Sequence, residues 1–172
     1  YMAKKIPYGL TDYLRIVTED YYYVDKTEYI EDLEKTAAFL FLIRPRRFGK
    51  SLFLNMLNCY YDVKYADRFE ELFGNQYIGK HPTAEQGKYL VLRFNFSMVR
   101  ATDDKLEAAF NRHISLETAY FASVYASYFK PDFQEQLKLI PEAAGRLEYI
   151  CLCAKEQGLS IYLLIDEYDN FT

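Results

Sequence analysis

The stretch AFLFLIRPRRFGKSLFLNMLNCYY, residues 38–61, decides how this chain is read. Residues 38–43 form a continuous apolar run. It is too short to span a membrane and too uniform for a strand with one wet face, so it suits a central parallel strand covered on both sides. From Lys50 the apolar spacing changes: Leu52, Phe53, Met56, Leu57 and Tyr60 fall on one face of a helix. Between strand and helix lies a basic loop ending in Gly49-Lys50-Ser51. The N–H groups at a helix start lack intrahelical acceptors, and the dipole there favours an anion. Gly49 lets the backbone approach a phosphate oxygen closely. Lys50 would reach β- and γ-phosphates, and the Ser51 hydroxyl would ligate Mg²⁺. The tripeptide alone occurs by chance in roughly one chain in ten of this length, so the weight rests on the strand before it and the helix after it. The pattern GxxxxGK[ST] is departed from at one position, where Arg44 replaces the first glycine and Pro45 follows. The competing reading is a basic turn joining a core strand to a core helix. On the phosphate reading, the nucleotide-binding set is Arg44, Pro45, Arg46, Arg47, Phe48, Gly49, Lys50, Ser51 and Leu52.

A second apolar strand, residues 161–165, ends in Asp166-Glu167. A carboxylate at the tip of a buried strand near a phosphate loop holds Mg²⁺ in ATPases of this construction. A Glu directly after it can act as general base on the attacking water. Successive strand residues point to opposite faces, but the chain turns at a strand end, so both acids can face one site. The expected catalytic pair is Glu167 and Lys50, and the expected Mg²⁺ ligands are Ser51 and Asp166. A solvated acidic strand end is the plainer alternative.

Four segments together resemble the bacterial AAA-ATPase-like family. They are Ile6-Pro7-Tyr8-Gly9, Tyr22-Tyr23-Val24-Asp25-Lys26-Thr27, Arg44-Pro45-Arg46-Arg47-Phe48-Gly49-Lys50-Ser51 and Ile165-Asp166-Glu167-Tyr168-Asp169. Within that family an arginine at the first loop position is part of the pattern. The resemblance implies an α/β fold of the P-loop NTPase type: three α/β/α layers around a mainly parallel sheet, AAA-related. It implies ATP and Mg²⁺ as cofactors, with hydrolysis. Members often carry a C-terminal nuclease-like domain of the PD-(D/E)XK type, so nucleic acid contacted through such a domain, and a homo-oligomer, are the partners it suggests.

Half of the 172 residues are apolar, and aromatics make up 18%, with 18 Tyr, 13 Phe and no Trp. A chain of this length buries about 70% of its unfolded surface, and the composition is that of a well-cored protein. The net charge of −4 argues against an overall basic field for nucleic acid. The local cluster Arg44, Arg46, Arg47 and Lys50 sits where a polyphosphate would bind. The three cysteines, Cys59, Cys151 and Cys153, lack metal-site spacing and read as reduced thiols. His81 and His113 are isolated. No run reads as a signal peptide or a membrane span, so a cytoplasmic protein without a membrane partner is expected.

Along the chain, Thr11 is the candidate N-cap of a short helix over 12–17. Residues 21–24 are β-prone. A helix begins at Asp25 or Thr27 and runs to about Lys35, with Tyr29, Ile30 and Leu33 inward. This N-terminal lead-in, 1–37, either contacts the adenine through Ile6, Pro7 or Tyr8 or simply covers a sheet edge. Residues 38–172 make the N-terminal part of the ATPase core. Residues 62–87 read as irregular, with a short helix over 66–73, and 89–96 as the second strand. The longest helical pattern is 103–129, where the aromatic stripe Tyr120, Phe121, Tyr125, Tyr128 and Phe129 reads as core packing. Two further helices follow over 133–140 and 141–157, the second opening with Pro141 at its first position and closing at Gly158.

Glu167 lies five residues before Thr172. In ATPases with such a Glu, another strand usually lies between the loop strand and the acidic strand. That strand, a polar sensor and any arginine finger are therefore expected in sequence beyond Thr172 or on a neighbour. An arginine finger contributes on the order of 10³ to 10⁵ in rate, so the chain alone is expected to bind nucleotide poorly and hydrolyse it slowly. Two other functions stay open: a nucleotide-sensing regulator with little hydrolysis, and a nucleic-acid-binding module using Arg44, Arg46 and Arg47.

Overall fold

The computed structural model describes residues 3–36, 49–99 and 105–166. The expected loop strand 38–43, the loop residues Arg44, Pro45, Arg46, Arg47 and Phe48, and Glu167 lie outside the described residues. The chain divides into two compact units, 1–88 and 89–172.

The described part of the first unit is mainly helical. The helix α1 (Tyr13–Thr18) is capped by Asp12, whose side chain accepts from the Arg15 N–H at 3.3 Å. The cap is therefore one residue later than Thr11, because only Asp12 places an oxygen over the third N–H of the helix. The helix α2 (Tyr29–Lys35) buries Ile30, whereas Tyr29 is about half exposed. The helix α3 (Lys50–Tyr61) buries Met56, Leu57 and Tyr60 as expected, together with Leu54, Cys59 and Tyr61, while Leu52 and Phe53 are half-buried. At about 1.5–3 kcal/mol for each large apolar side chain, that face holds α3 firmly in place.

Residues 62–80 are more ordered than the sequence suggests. A 3₁₀ segment over Val63–Arg68 leads into α4 (Phe69–Phe73), and α5 (Tyr77–Lys80) follows. Tyr13 ties this region together. Its ring stacks on Phe73 at 5.1 Å, meets Tyr23 edge-on at 5.1 Å, and its hydroxyl donates to Leu72 O at 2.8 Å.

Burial pushes the Tyr13 and Tyr23 phenols above their ordinary value, and Asp25 adds to the effect at Tyr23. The unfolded chain releases these protons near pH 10, whereas the folded unit holds them. Above about pH 10 the unfolded state thus binds fewer protons than the folded one, and stability falls as pH rises. Thermal melts from neutral to strongly alkaline pH are expected to show this decline, and a Tyr13→Phe variant is expected to show a shallower one. An identical slope in the two proteins would remove Tyr13 from the explanation.

The second unit is α/β. The strands β1 (Tyr89–Asn95) and β2 (Ser160–Asp166) pair in parallel, in register from Tyr89 opposite Ser160 to Asn95 opposite Asp166. A parallel pair needs a long crossover, and helices supply it: α6 (Leu106–Val124), α7 (Phe133–Lys138) and α8 (Ala143–Glu156). Helix α6 stops at Tyr125, and a 3₁₀ turn over Ala126–Tyr128 replaces its expected last turn. Phe121, Tyr125 and Phe129 are buried as read from sequence, while Tyr120 stays two-thirds exposed. Pro141 falls before the cap of α8, which is Glu142, rather than at the first helical position. The Val91 N–H donates to the Tyr125 hydroxyl at 3.1 Å, so a side chain closes that point on the edge of β1 facing away from β2. No helix among the described residues is long and apolar enough to cross a membrane.

Candidate functional site

The head of α3 carries the described part of the phosphate-loop motif. Gly49 precedes the helix with φ 78° and ψ 16°, a left-handed conformation. A residue with a Cβ adopts it at a cost of about 1–2 kcal/mol, which explains glycine here. Lys50 follows in the right-handed helical conformation, with Ser51 and Leu52 after it in the first turn. A change of hand between successive residues turns their N–H groups toward one concavity, the backbone form of an anion nest. The first turn of α3 contains no acidic residue, so nothing there neutralises the dipole from within.

Helix α3 is anchored at its far end. The Tyr60 hydroxyl lies 2.8 Å from Thr83 Oγ1 and accepts from the Thr83 N–H at 2.9 Å. The Tyr61 hydroxyl donates to Glu34 Oε1 at 2.9 Å, and the Gly87 N–H donates to Tyr60 O at 2.9 Å. Near its middle, Asn55 Oδ1 accepts the Tyr13 N–H at 2.7 Å. The motif therefore sits on a helix held on several sides.

Beside Gly49 opens a cavity of about 340 Å³. The lead-in contributes Pro7, Tyr22, Tyr23 and Val24, and α3 contributes Leu52 and Phe53. Of the three lead-in residues considered for the adenine, Pro7 lines this cavity, while Ile6 and Tyr8 are 79% and 99% exposed. Pro7, Val24, Leu52 and Phe53 bring no charge to it, and burial further favours the neutral form of the Tyr23 phenol. Such a surface of rings and aliphatic carbons suits a flat heteroaromatic group.

Lys26 also faces the cavity, a role not read from its position in the sequence. A Cβ placed on Gly49 would stand 3.9 Å from Lys26 Nζ. The one available signal was that a single cation interrupts the acceptor pair Asp25 and Thr27, directly after three tyrosines and a valine.

In the second unit, Asp166 ends β2 and is 2% exposed. Asn95 lies opposite it in the register, and Asn95 Oδ1 accepts from the Ser97 N–H at 3.1 Å and the Ser97 hydroxyl at 2.6 Å. The structure thus gathers Gly49, Lys50, Ser51 and Leu52 at one helix start, and sets Asp166 at the C-terminal end of a parallel strand, the side where open α/β sheets bind ligands. No cluster of three or more His, Cys, Asp or Glu able to hold a metal occurs among the described residues.

Comparison with known proteins agrees with these local features. The family described as "Predicted AAA-ATPase" matches residues 7–172. A protein of Azotobacter chroococcum mcd 1, described as "Uncharacterized protein in vnfD 5'region", is 51% identical over 55 residues. That alignment covers 31% of this chain and 11% of the relative, so the chain spans about a tenth of the protein it matches. No solved structure matches the chain. With nearly its whole length matched, the chain belongs to the AAA-ATPase-like family.

Proposed function

We propose that this chain is the nucleotide-binding part of a Mg²⁺-dependent ATPase with a P-loop, AAA-related core of three α/β/α layers. The observation that carries the reading is the left-handed Gly49 opening helix α3 directly before Lys50 and Ser51, beside a cavity sized for a nucleoside.

In this reading the loop residues Arg44, Pro45, Arg46, Arg47, Phe48 and Gly49, together with the first N–H groups of α3, surround the phosphates. Lys50 neutralises the β- and γ-phosphates, and Leu52 packs below them. The base enters the cavity against Pro7, Tyr22 and Tyr23. The Ser51 hydroxyl and the Asp166 carboxylate would hold Mg²⁺. A hard cation with few protein oxygens takes its remaining ligands from phosphate and water, the usual Mg²⁺ arrangement. When bound, that ion neutralises charge developing on the phosphate oxygens. Glu167, the residue after Asp166, orients the attacking water and accepts its proton.

The parallel pairing of β1 and β2 supports this reading, as does the Tyr125 hydroxyl on the far edge of β1. Further strands then add beside β2, which would make the acid-bearing strand an interior one. The lead-in, 1–37, covers the nucleotide in this scheme, and 38–172 forms the first part of the core. In the longer cytoplasmic protein, an arginine from a neighbouring subunit and a C-terminal domain acting on nucleic acid complete the proposal.

Calorimetric titration of the protein with ATP, with and without Mg²⁺, tests it. Saturable binding that strengthens with Mg²⁺ is expected. No heat and no competition against a fluorescent ATP analogue at millimolar nucleotide would end the proposal.

A further inference from the structure

We propose that Lys26 is a second phosphate-binding cation, reaching the nucleotide from the cavity side of Gly49. This rests on the nucleotide reading above and adds a residue that the loop motif does not include.

The backbone on both sides of Lys26 is fixed by its neighbours. Asp25 Oδ1 accepts from the Thr27 N–H at 2.8 Å and from the Thr27 hydroxyl at 2.7 Å. Asp25 Oδ2 accepts the Tyr77 N–H at 2.7 Å, and Thr27 Oγ1 accepts the Ile78 N–H at 3.1 Å. Thr27 is fully buried. The two flanking side chains are thus spent on joining this turn to the start of α5, and Lys26 is displayed between them. A long flexible side chain on a clamped backbone reaches a smaller volume than one on a mobile loop.

The direction of that display is informative. Among the described residues beyond its chain neighbours, the ammonium group is the nearest atom to where a Gly49 side chain would be, at 3.9 Å. Among the described residues no carboxylate pairs with Lys26, whereas Lys4, Arg15, Lys35, Lys64, Arg68 and Lys130 each have one. The group instead approaches a segment that carries Lys50 at the next position. Cations turned toward one point repel each other, and more so where solvent is excluded. An anion lying between them reverses the sign. A nucleoside polyphosphate with its base among the tyrosines and its phosphates at Gly49 passes this point. Lys50 then holds the phosphates from the helix side and Lys26 from the cavity side.

The test compares Lys26→Met, Lys26→Arg and Lys50→Ala with the wild type in the whole protein, by titration with ATP and ADP. Loss of one charge-assisted contact is expected to weaken ATP and ADP binding by about tenfold in Lys26→Met. Lys26→Arg is expected to stay within about threefold of the wild type, because the charge and much of the reach are retained. The melting temperature without nucleotide is expected to be unchanged in both, which a purely structural role would not allow. Wild-type affinity in Lys26→Met alongside lost affinity in Lys50→Ala overturns the assignment of Lys26 and leaves the nucleotide reading intact. Absence of ATP binding by the wild type overturns both.

Discussion

Lys50→Ala is expected to weaken ATP binding by on the order of 10- to 100-fold, the loss of a charge-assisted contact to phosphate. The same change is expected to leave the nucleotide-free protein about as stable as before. Lys50 is the first residue of α3, and its charge stands at the positive end of the helix dipole with no acidic residue in that turn. A cation at a helix N-terminus is unfavourable by about 0.3–1 kcal/mol at an exposed site, and alanine is the better helix former. The helix dipole therefore does nothing to favour a cation at this position. A bound polyanion suits both the dipole and the lysine charge, which is the physical reason to regard this residue as functional. Calorimetric titration paired with a thermal melt separates the two quantities. Equal ATP affinity in the variant and the wild type would refute the role of Lys50. A loss of affinity accompanied by a lower melting temperature would instead point to a structural role.

What could be read from sequence, and what could not, follows from where the free energy of each element arises. Helix α3 was legible because its apolar spacing is its stability: Met56, Leu57 and Tyr60, read as inward, are buried. Strands β1 and β2 were legible as apolar runs, and their ends matched within a residue. Segment α4 lies within the short helix read over 66–73, but α5 was not legible, because a helix of four residues has no periodic face to read; neither forms on its own. They persist through distant partners: the Leu72 carbonyl through Tyr13, and the Tyr77 and Ile78 N–H groups through Asp25 and Thr27. The unit boundary after Lys88 carries no composition signal either. At the candidate site the motif showed Gly49, Lys50 and Ser51 directly. Lys26 stayed hidden because its relation to Gly49 spans 23 positions of chain, and only the fold brings the two close.

Glu167→Gln is expected to keep ATP affinity near that of the wild type while lowering turnover by about 10²- to 10⁴-fold, the usual contribution of a general base. The expectation follows from how β2 ends. Side chains alternate along a strand, and here Leu164 is buried, Ile165 is 42% exposed and Asp166 is 2% exposed. Asp166 thus belongs to the covered face of β2 and is the last strand residue. In the proposed reading the chain turns after this strand end, so an acid at the next position need not take the opposite face. An acid at that position can stand beside the one before it, close enough to a metal-held phosphate to accept a proton from water. Glutamine preserves the size and one oxygen but cannot take the proton, so binding and chemistry come apart. Phosphate release under single-turnover conditions, set beside ATP affinity, reads the two separately. If the wild type releases phosphate no faster than the glutamine variant, while binding ATP as tightly, Glu167 has no catalytic role and the chain acts by sensing nucleotide rather than by consuming it.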